Sequence, residues 1–180
     1  MMANPFIAPF GDADVEQLAV AEREFLVTTA DAAPHSRLGS IANLLRRVRE
    51  IFKMDVVFVS QFVQGQRYFR HVDAGSGARV RLTVGSSDPL EDSYCQRVVD
   101  GRLPSVIPDA RKHPLTAAMP ATEAVGVGAH LSVAIVLASG ETYGTLCCFS
   151  HQPNPWMVDR DAQALRSVAQ LLAETLDPRG

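Results

Sequence analysis

The pattern of apolar and polar positions divides the chain into helical and extended segments. Apolar residues recur near a period of 3.6 through Leu18, Phe25 and Leu26, as in an amphipathic helix. Ser36 is a candidate N-cap, and Gly101 lies where a helix would close with a glycine. The predicted helices run from Asp12 to about Thr28, from Ser36 to about Lys53, from Glu91 to about Asp100, and from Asp159 to about Leu176.

Extended segments are indicated by apolar runs rich in valine and phenylalanine. "MDVVFVSQFV" predicts a buried strand, and the "QGQ" turn joins it to the alternating "RYFRHVDAG" as a hairpin. "AHLSVAIVLASG" and "TYGTLCCFS" predict a second strand pair, and "PSVIPDA" a short strand. "GSGARVRLTVGSSDP" is predicted to be mostly loop, and "KHPLTAAMPATEAVG" to be a loop with room for one helical turn.

Antiparallel hairpins mixed with flanking helices indicate an α+β domain rather than a doubly wound parallel sheet. We divide the chain into an N-terminal arm and helix, residues 1–35, and a single domain, residues 36–177. The 180 residues, 47% apolar and 21% charged, are typical of one globular domain.

Charge and cysteine content exclude several classes of function. The net charge is -3 with no basic block, which argues against nucleic acid as a partner. No apolar run approaches the roughly 20 residues of a membrane span, and the N-terminus lacks the pattern of a signal peptide. Three cysteines without metal-ligand spacing argue against a disulfide framework or a zinc site. Reduced thiols favour a cytoplasmic protein.

Three segments, taken in order, resemble the GAF domain, a small-molecule-sensing module of bacterial signalling proteins. They are "YCQRVVDGRLPSVIPDARKHP", "GVGAHLSVAIVLASGETYGTLCCFS" and "DRDAQALRSVAQLLAETL", and the resemblance covers about Ser36 to Leu176. One departure is Ala134, where many relatives carry proline. Because losing proline restores a backbone donor, we expect that strand to persist.

The resemblance implies a central antiparallel sheet with the N- and C-terminal helices on one face and a ligand pocket on the other. It implies that Ser93 to Pro114 forms much of the pocket wall. The candidate ligand-binding residues are Tyr94, Cys95, Val98, Asp109, Arg111, His130, Ser132 and Phe149. Purely structural roles are the alternatives for three of these residues: Cys95 as a small buried residue, His130 as a core histidine and Asp109 as a turn former.

The ligand is not identified by the sequence. Bilin-binding relatives attach the chromophore through a Cys-His pair in the loop before the late strands, and this loop has no cysteine, so no covalent bilin is expected. The residue set of cyclic-nucleotide-binding relatives is not found in this sequence, but a cyclic nucleotide is not excluded as the ligand. Haem also remains open, because a histidine such as His130 can ligate iron.

The function we predict is a non-catalytic sensor that binds a small molecule and signals through its terminal helices, as a homodimer, to an output domain or a partner protein. The alternative is a thiol-based redox sensor or an enzyme like methionine sulfoxide reductase, centred on Cys95. Such a reductase needs an attacking and a resolving cysteine. Cys147 and Cys148 are adjacent on a predicted strand and should face opposite sides of the sheet, so they are not expected to pair with each other.

Overall fold

Six strands form one antiparallel sheet in a computed structural model, which describes residues 8–30 and 33–177. The sheet order is β3-β2-β1-β6-β5-β4, and each neighbouring pair is antiparallel. The strands are β1 (Val56–Val63), β2 (Gln66–Ala74), β3 (Ser87–Pro89), β4 (Val106–Ile107), β5 (Ala129–Val136) and β6 (Thr142–Ser150).

Five α-helices surround the sheet in the described part of the chain, with one short 3-10 helix at Leu90–Asp92. With the sheet they confirm the predicted α+β fold. The helices are α1 (Asp12–Thr29), α2 (Pro34–Ile51), α3 (Tyr94–Val99), α4 (Pro120–Val125) and α5 (Asp159–Leu176).

The larger core lies between one face of the sheet and the three long helices. Val57 and Val59 point to this side from β1, and α5 contributes Leu165, Val168 and Leu172. All five side chains are buried, and on α5 the buried positions are those that the 3.6-residue spacing predicts. The terminal helices therefore pack on one face, as expected.

A smaller core lies on the opposite face, under α3 and α4. Val56 and Phe58 alternate with Val57 and Val59 along β1, so they point to this second side. The two adjacent cysteines of β6 also point to opposite faces of the sheet: Cys147 belongs to the smaller core and Cys148 to the larger one. The candidate site lies on this side.

The β1–β2 hairpin closes with the predicted tight turn. Gln64 and Gly65 have φ of 49° and 75°, the left-handed conformation of both central residues in a two-residue turn that matches strand twist. On the late strand pair, Ala134 pairs with Thr145, so the strand persists where many relatives have proline.

Three local predictions were wrong. The second helix begins at Pro34 rather than after a Ser36 cap, because proline suits the first helical turn, and its N-cap residue is Ala33. The helix predicted from Glu91 is interrupted at Ser93, whose hydroxyl accepts the Gln96 N–H and caps α3. The segment predicted as loop before this point contributes the edge strand β3.

Candidate functional site

A cavity of about 260 Å³ lies between the sheet and the α3–α4 side of the molecule. Three aromatic rings, those of Phe58, Phe69 and Phe149, line it from strands β1, β2 and β6. Arg67, Asp88 and Asp92 contribute charged groups, and the other lining residues are mostly apolar. These are Leu82, Pro89, Ser93, Tyr94, Pro120, Ala121, Val125, Val127, His130 and Cys147.

Arg67 is held in the cavity wall by a two-point ion pair. Arg67 and Asp88 are register partners on β2 and β3, so their side chains meet at the edge of the sheet. The guanidinium Nε donates to Asp88 Oδ1 at 2.9 Å, and Nη2 donates to Oδ2. The same guanidinium lies 4.9 Å from the centroid of the Phe69 ring and 5.6 Å from that of Phe58. These contacts fix its orientation in a largely apolar wall.

The third nitrogen of this guanidinium reaches a cysteine. Nη1 of Arg67 donates to Cys95 Sγ at 3.3 Å, and Cys95 is itself fully buried in the first turn of α3. Burial raises the pKa of the Cys95 thiol, but a hydrogen bond from Cys147 and the charge of Arg67 outweigh burial and lower the pKa to about 5. Burial raises the pKa of Cys147, and its hydrogen bond to Cys95 raises it further. The negative charge of this pair therefore resides on Cys95.

His130 lies at the cavity beside Cys147. Its Nε2 is 3.2 Å from Cys147 Sγ, and its ring centroid is 4.7 Å from that of Tyr94. Burial, together with the charge of Arg67, lowers the pKa of His130 to about 3, so the imidazole is neutral at physiological pH. Its Nδ1 is buried and has no hydrogen-bond partner among residues 8–30 and 33–177.

A chain of hydrogen bonds ties α3 to α4 and to the loop between β4 and α4. Tyr94 Oη is hydrogen-bonded to Thr122 Oγ1, which donates its own proton to the Thr116 carbonyl. Thr116 Oγ1 donates in turn to the Ala110 carbonyl at 2.6 Å. Since the Thr122 proton is already used, Tyr94 must be the donor to Thr122. The cavity wall is thus connected across three segments by buried polar contacts.

The structure distributes the sequence-predicted residues over three positions. Tyr94, His130 and Phe149 line the cavity. Cys95 and Ser132 are buried behind its wall, and Val98 packs against the smaller core without lining it.

Asp109 and Arg111 lie outside the cavity. Asp109 Oδ1 accepts the Arg111 N–H at 3.1 Å, which is the turn-forming role open to it, and Arg111 Nη2 donates to the His151 carbonyl at 3.2 Å. A ligand-binding role for these eight residues stays a prediction.

Sequence reasoning missed several lining residues, above all Arg67 and Asp88. Alternation along β2 gave one usable signal, since Arg67 and Phe69 are two residues apart and so share a face. The pairing of Arg67 with Asp88 could not be seen, because it depends on an edge strand of three residues that was predicted as loop. Cys147 was expected to face one side or the other, and it is the cysteine that faces the cavity.

Other surface features are less suited to binding. A larger depression, of about 740 Å³, lies open to solvent between the β5–β6 turn and the end of α5. Among the described residues, no three His, Cys, Asp or Glu side chains are arranged to hold a metal ion. A search of the same residues found no helix with the length and apolar character needed to cross a membrane.

Solved structures share this fold at low sequence identity. The GAF domain from Acinetobacter phosphoenolpyruvate-protein phosphotransferase is 15% identical, with a TM-score of 0.68 over 91% of this chain and 92% of that chain. The phycocyanobilin-bound GAF domain from a cyanobacterial phytochrome is 14% identical, with a TM-score of 0.71 over 88% and 93% of the two chains. At these identities the likeness concerns the fold alone.

The chromophore-binding domain of an unusual bacteriophytochrome from R. palustris is 20% identical, with a TM-score of 0.67 over 93% of this chain. This chain spans only 62% of that protein's chain. A comparison with curated protein sequences found no match. A family model described as the GAF domain matches residues 38–176, which is most of the chain. The protein therefore belongs to the GAF domain family.

Proposed function

We propose that this protein is a non-catalytic sensor domain that binds a small molecule in the cavity under α3 and α4. The observation that carries the proposal is the unpaired, buried Nδ1 of His130 on a residue that lines the cavity. Buried polar groups in native proteins nearly always have a partner. Nδ1 is closed to solvent in this arrangement, so we propose that a ligand supplies the missing partner when the cavity wall shifts to admit it.

A second buried histidine has both of its ring nitrogens hydrogen-bonded within the protein. His151 Nδ1 donates to the Gly126 carbonyl at 2.9 Å, and its Nε2 accepts the Arg79 N–H at 2.8 Å. Both of its ring nitrogens are used within the protein, whereas His130 uses one. This contrast favours a ligand contact at His130.

The cavity restricts the ligand in size and charge. Its volume of about 260 Å³ lies just below the roughly 300–1,000 Å³ of pockets for drug-sized molecules. Its rings favour a planar molecule, since aromatic faces prefer stacked or edge-on partners. The charge of Arg67 is already balanced by Asp88 and Cys95. We therefore propose a compact, planar, uncharged ligand with one polar group directed at His130.

The cofactors of related proteins fit this cavity poorly. A bilin such as the phycocyanobilin of the cyanobacterial domain, or a haem, is larger than a cavity of about 260 Å³. A cyclic nucleotide would bring its phosphate towards Asp88 and Asp92, and the nearest cation, Arg67, is already paired. The ligand we propose is smaller than the first two and lacks the charge of the third.

Signalling in this proposal is a population shift. A ligand changes the arrangement of the protein only if it binds one arrangement better than another. The candidate moving part is the α3–α4 wall, which the Tyr94–Thr122–Thr116 hydrogen bonds connect to the loop after β4. We further propose that output passes to a partner protein or domain through a homodimer formed by the terminal helices.

Exposed apolar side chains on α1 support the dimer. The predicted apolar face of α1 is only partly used by the domain, because Leu18 and Phe25 are buried while Leu26 is 45% exposed. Val27, one residue further, is 78% exposed. A second copy of the same helix would cover these side chains.

Native mass spectrometry of freshly purified protein, repeated under denaturing conditions, tests the sensor proposal. We expect a small molecule that co-purifies and is released on denaturation, and that is retained by an Arg111→Ala control but lost from His130→Phe. If the protein is free of ligand, a panel of planar uncharged heterocycles should raise its melting temperature through the same histidine. The proposal is rejected if no small molecule co-purifies and no compound of the panel raises the melting temperature.

A further inference from the structure

Two cysteines that are distant in sequence meet at the base of the cavity. Cys147 lines the cavity from β6, and Cys95 lies behind it on α3. The two thiols are close enough to change each other's pKa, and each has a polar contact of its own. Cys95 Sγ accepts from Arg67 Nη1 at 3.3 Å, and Cys147 Sγ is 3.2 Å from His130 Nε2.

This arrangement differs from that of a buried structural cysteine. Structural thiols lie among apolar groups and are inert, whereas reactive thiols have cations or hydrogen-bond donors beside them. Cys148 is the internal example of the first kind: it lies in the larger core, and burial alone raises its pKa well above the usual range. The charge of Arg67, in contrast, stabilises a thiolate at Cys95.

We propose that Cys95 and Cys147 are a redox pair that forms a disulfide when a small hydroperoxide enters the cavity. The partner cysteine that the fold provides for Cys95 lies on β6. This proposal does not depend on the cavity's ligand, so the sensor proposal and the thiol proposal can fail separately.

The reaction balances without any further reagent. The proton shared by the two sulfurs moves from Cys147 to Cys95, which leaves the thiolate on the sulfur that faces the cavity. That sulfur attacks the outer oxygen of the hydroperoxide: the S–O bond forms, the O–O bond breaks, and the alkoxide leaves and takes a proton from water. Cys147 is now a sulfenic acid.

Cys95 then resolves the sulfenic acid. Its sulfur attacks the Cys147 sulfur, the S–S bond forms, the S–O bond breaks, and the leaving hydroxide takes the Cys95 proton to become water. Two thiols have been oxidised and one hydroperoxide has been reduced to an alcohol. Reduction of the disulfide by a dithiol returns the pair to its first state.

Disulfide formation would change the cavity as well as the thiols. The bond would link α3 covalently to β6 and remove the negative sulfur that faces Arg67. The guanidinium would then keep Asp88 as its counter-ion and lose its contact with a thiolate. Oxidation would thereby make the wall of the cavity more positive.

The test is titration of the folded, fully reduced protein with hydrogen peroxide, followed by intact mass measurement. We expect the mass to fall by two hydrogen atoms. Trypsin should then release peptide 82–97, which holds Cys95, joined to peptide 113–160, which holds Cys147 and Cys148. A Cys148→Ala variant removes the ambiguity and should give the same cross-link, whereas Cys95→Ser and Cys147→Ser should give none.

The contribution of Arg67 is tested with a matched pair of variants. Arg67→Met should shift the pH dependence of oxidation to higher pH, because the charge of Arg67 lowers the pKa of both thiols, while Arg67→Lys retains the charge and should shift it less. Circular dichroism before and after peroxide checks that oxidation precedes unfolding. The proposal is overturned if the two-hydrogen loss is missing, if the cross-link goes to Cys148, or if oxidation occurs only in unfolded protein.

Discussion

His130 Nε2 lies 3.2 Å from Cys147 Sγ, while the opposite nitrogen of the same ring has no partner in the described part of the chain. Only one of the two ring nitrogens therefore has a hydrogen-bonding contact, and the ring lies where a positive charge would be costly. Burial and the charge of Arg67 oppose its protonation, and both lower its pKa.

This relationship predicts how stability depends on pH. Folded His130 has a pKa of about 3, whereas an unfolded histidine titrates near 6.5, so the unfolded chain binds more protons between these values. Stability should therefore fall as the pH falls from about 6.5 towards 3. The contribution of His130 approaches about 1.4 kcal/mol per pH unit. Urea unfolding of wild type and His130→Phe at pH 7 and pH 5 measures it.

The variant should lose less stability on acidification than the wild type. His71, whose pKa burial and Arg70 also lower, acts in the same direction but is common to both proteins. The depressed pKa of Cys95 adds stability that is lost as the pH falls through its own range, and it is common to both as well. His113→Asn, a change outside the cavity, is the control. Equal slopes in wild type and His130→Phe would contradict the pKa assigned to His130.

Arg67→Met predicts a change in the ionisation of Cys95. Without the guanidinium, burial is opposed only by hydrogen bonds such as that from Cys147, so the pKa of Cys95 should rise. Thiolate absorbance in the ultraviolet, followed against pH, should rise below neutral pH in the wild type and at higher pH in the variant. Cys95→Ser, which lacks the group, should show no rise below neutral pH. A wild-type thiol that stays protonated at neutral pH would contradict the prediction.

The regular elements of this fold were accessible from the sequence because their signals are local. The spacing on α5 gives its buried face directly, and the turn at Gln64 and Gly65 follows from the residues of the hairpin itself. Leu38 shows the limit of the same reasoning: it continues the apolar stripe of α2 but is 54% exposed, because spacing along a helix does not show where the helix is covered by the rest of the fold.

The site was less accessible because its residues meet across the fold. Asp88 reaches Arg67 only through the register of β2 and β3, and Cys147 reaches Cys95 only because α3 packs over β6. Neither of these two contacts follows from the spacing of the residues along the chain. Asp109 and Arg111 illustrate the opposite case: they are close in sequence to β4, but Asp109 accepts the Arg111 N–H within a turn and Arg111 donates to the His151 carbonyl, so neither lines the cavity.

Val27→Glu predicts a loss of self-association. Val27 is highly exposed on α1, so a carboxylate there should leave the fold of the domain intact. If α1 meets its counterpart in a second copy, two carboxylates would face an apolar contact and the dimer should weaken at least tenfold. Sedimentation equilibrium measures the change. Lys112→Glu, an exposed change away from the terminal helices, is the control, and a wild-type monomer at all concentrations would reject the dimer.

The hydrogen bonds of Thr122 predict an asymmetry between two conservative variants. Tyr94→Phe removes a donor and leaves Thr122 still bonded to the Thr116 carbonyl, so the cost should be about 0.5–1.5 kcal/mol. Thr122→Val leaves both the Tyr94 hydroxyl and the Thr116 carbonyl without this partner, and should cost more, about 1–3 kcal/mol. Chemical denaturation measures both. In the double variant the Tyr94→Phe change should cost less than it does alone; additive costs would contradict the network.

Two glycines predict opposite responses to the same substitution. A Cβ on Gly144 would overlap the backbone carbonyl of Ser60, so β6 and β1 would have to separate at the centre of the sheet. Gly144→Ala should destabilise the protein by about 1–3 kcal/mol or more, because neither neighbour is a flexible side chain. Gly39 lies within α2 with nothing within 4 Å of its Cβ position, and Gly39→Ala should stabilise by about 0.5–1 kcal/mol. Thermal and urea unfolding of the two variants compare them directly, and a neutral Gly144→Ala would show that the β1–β6 register is looser than described.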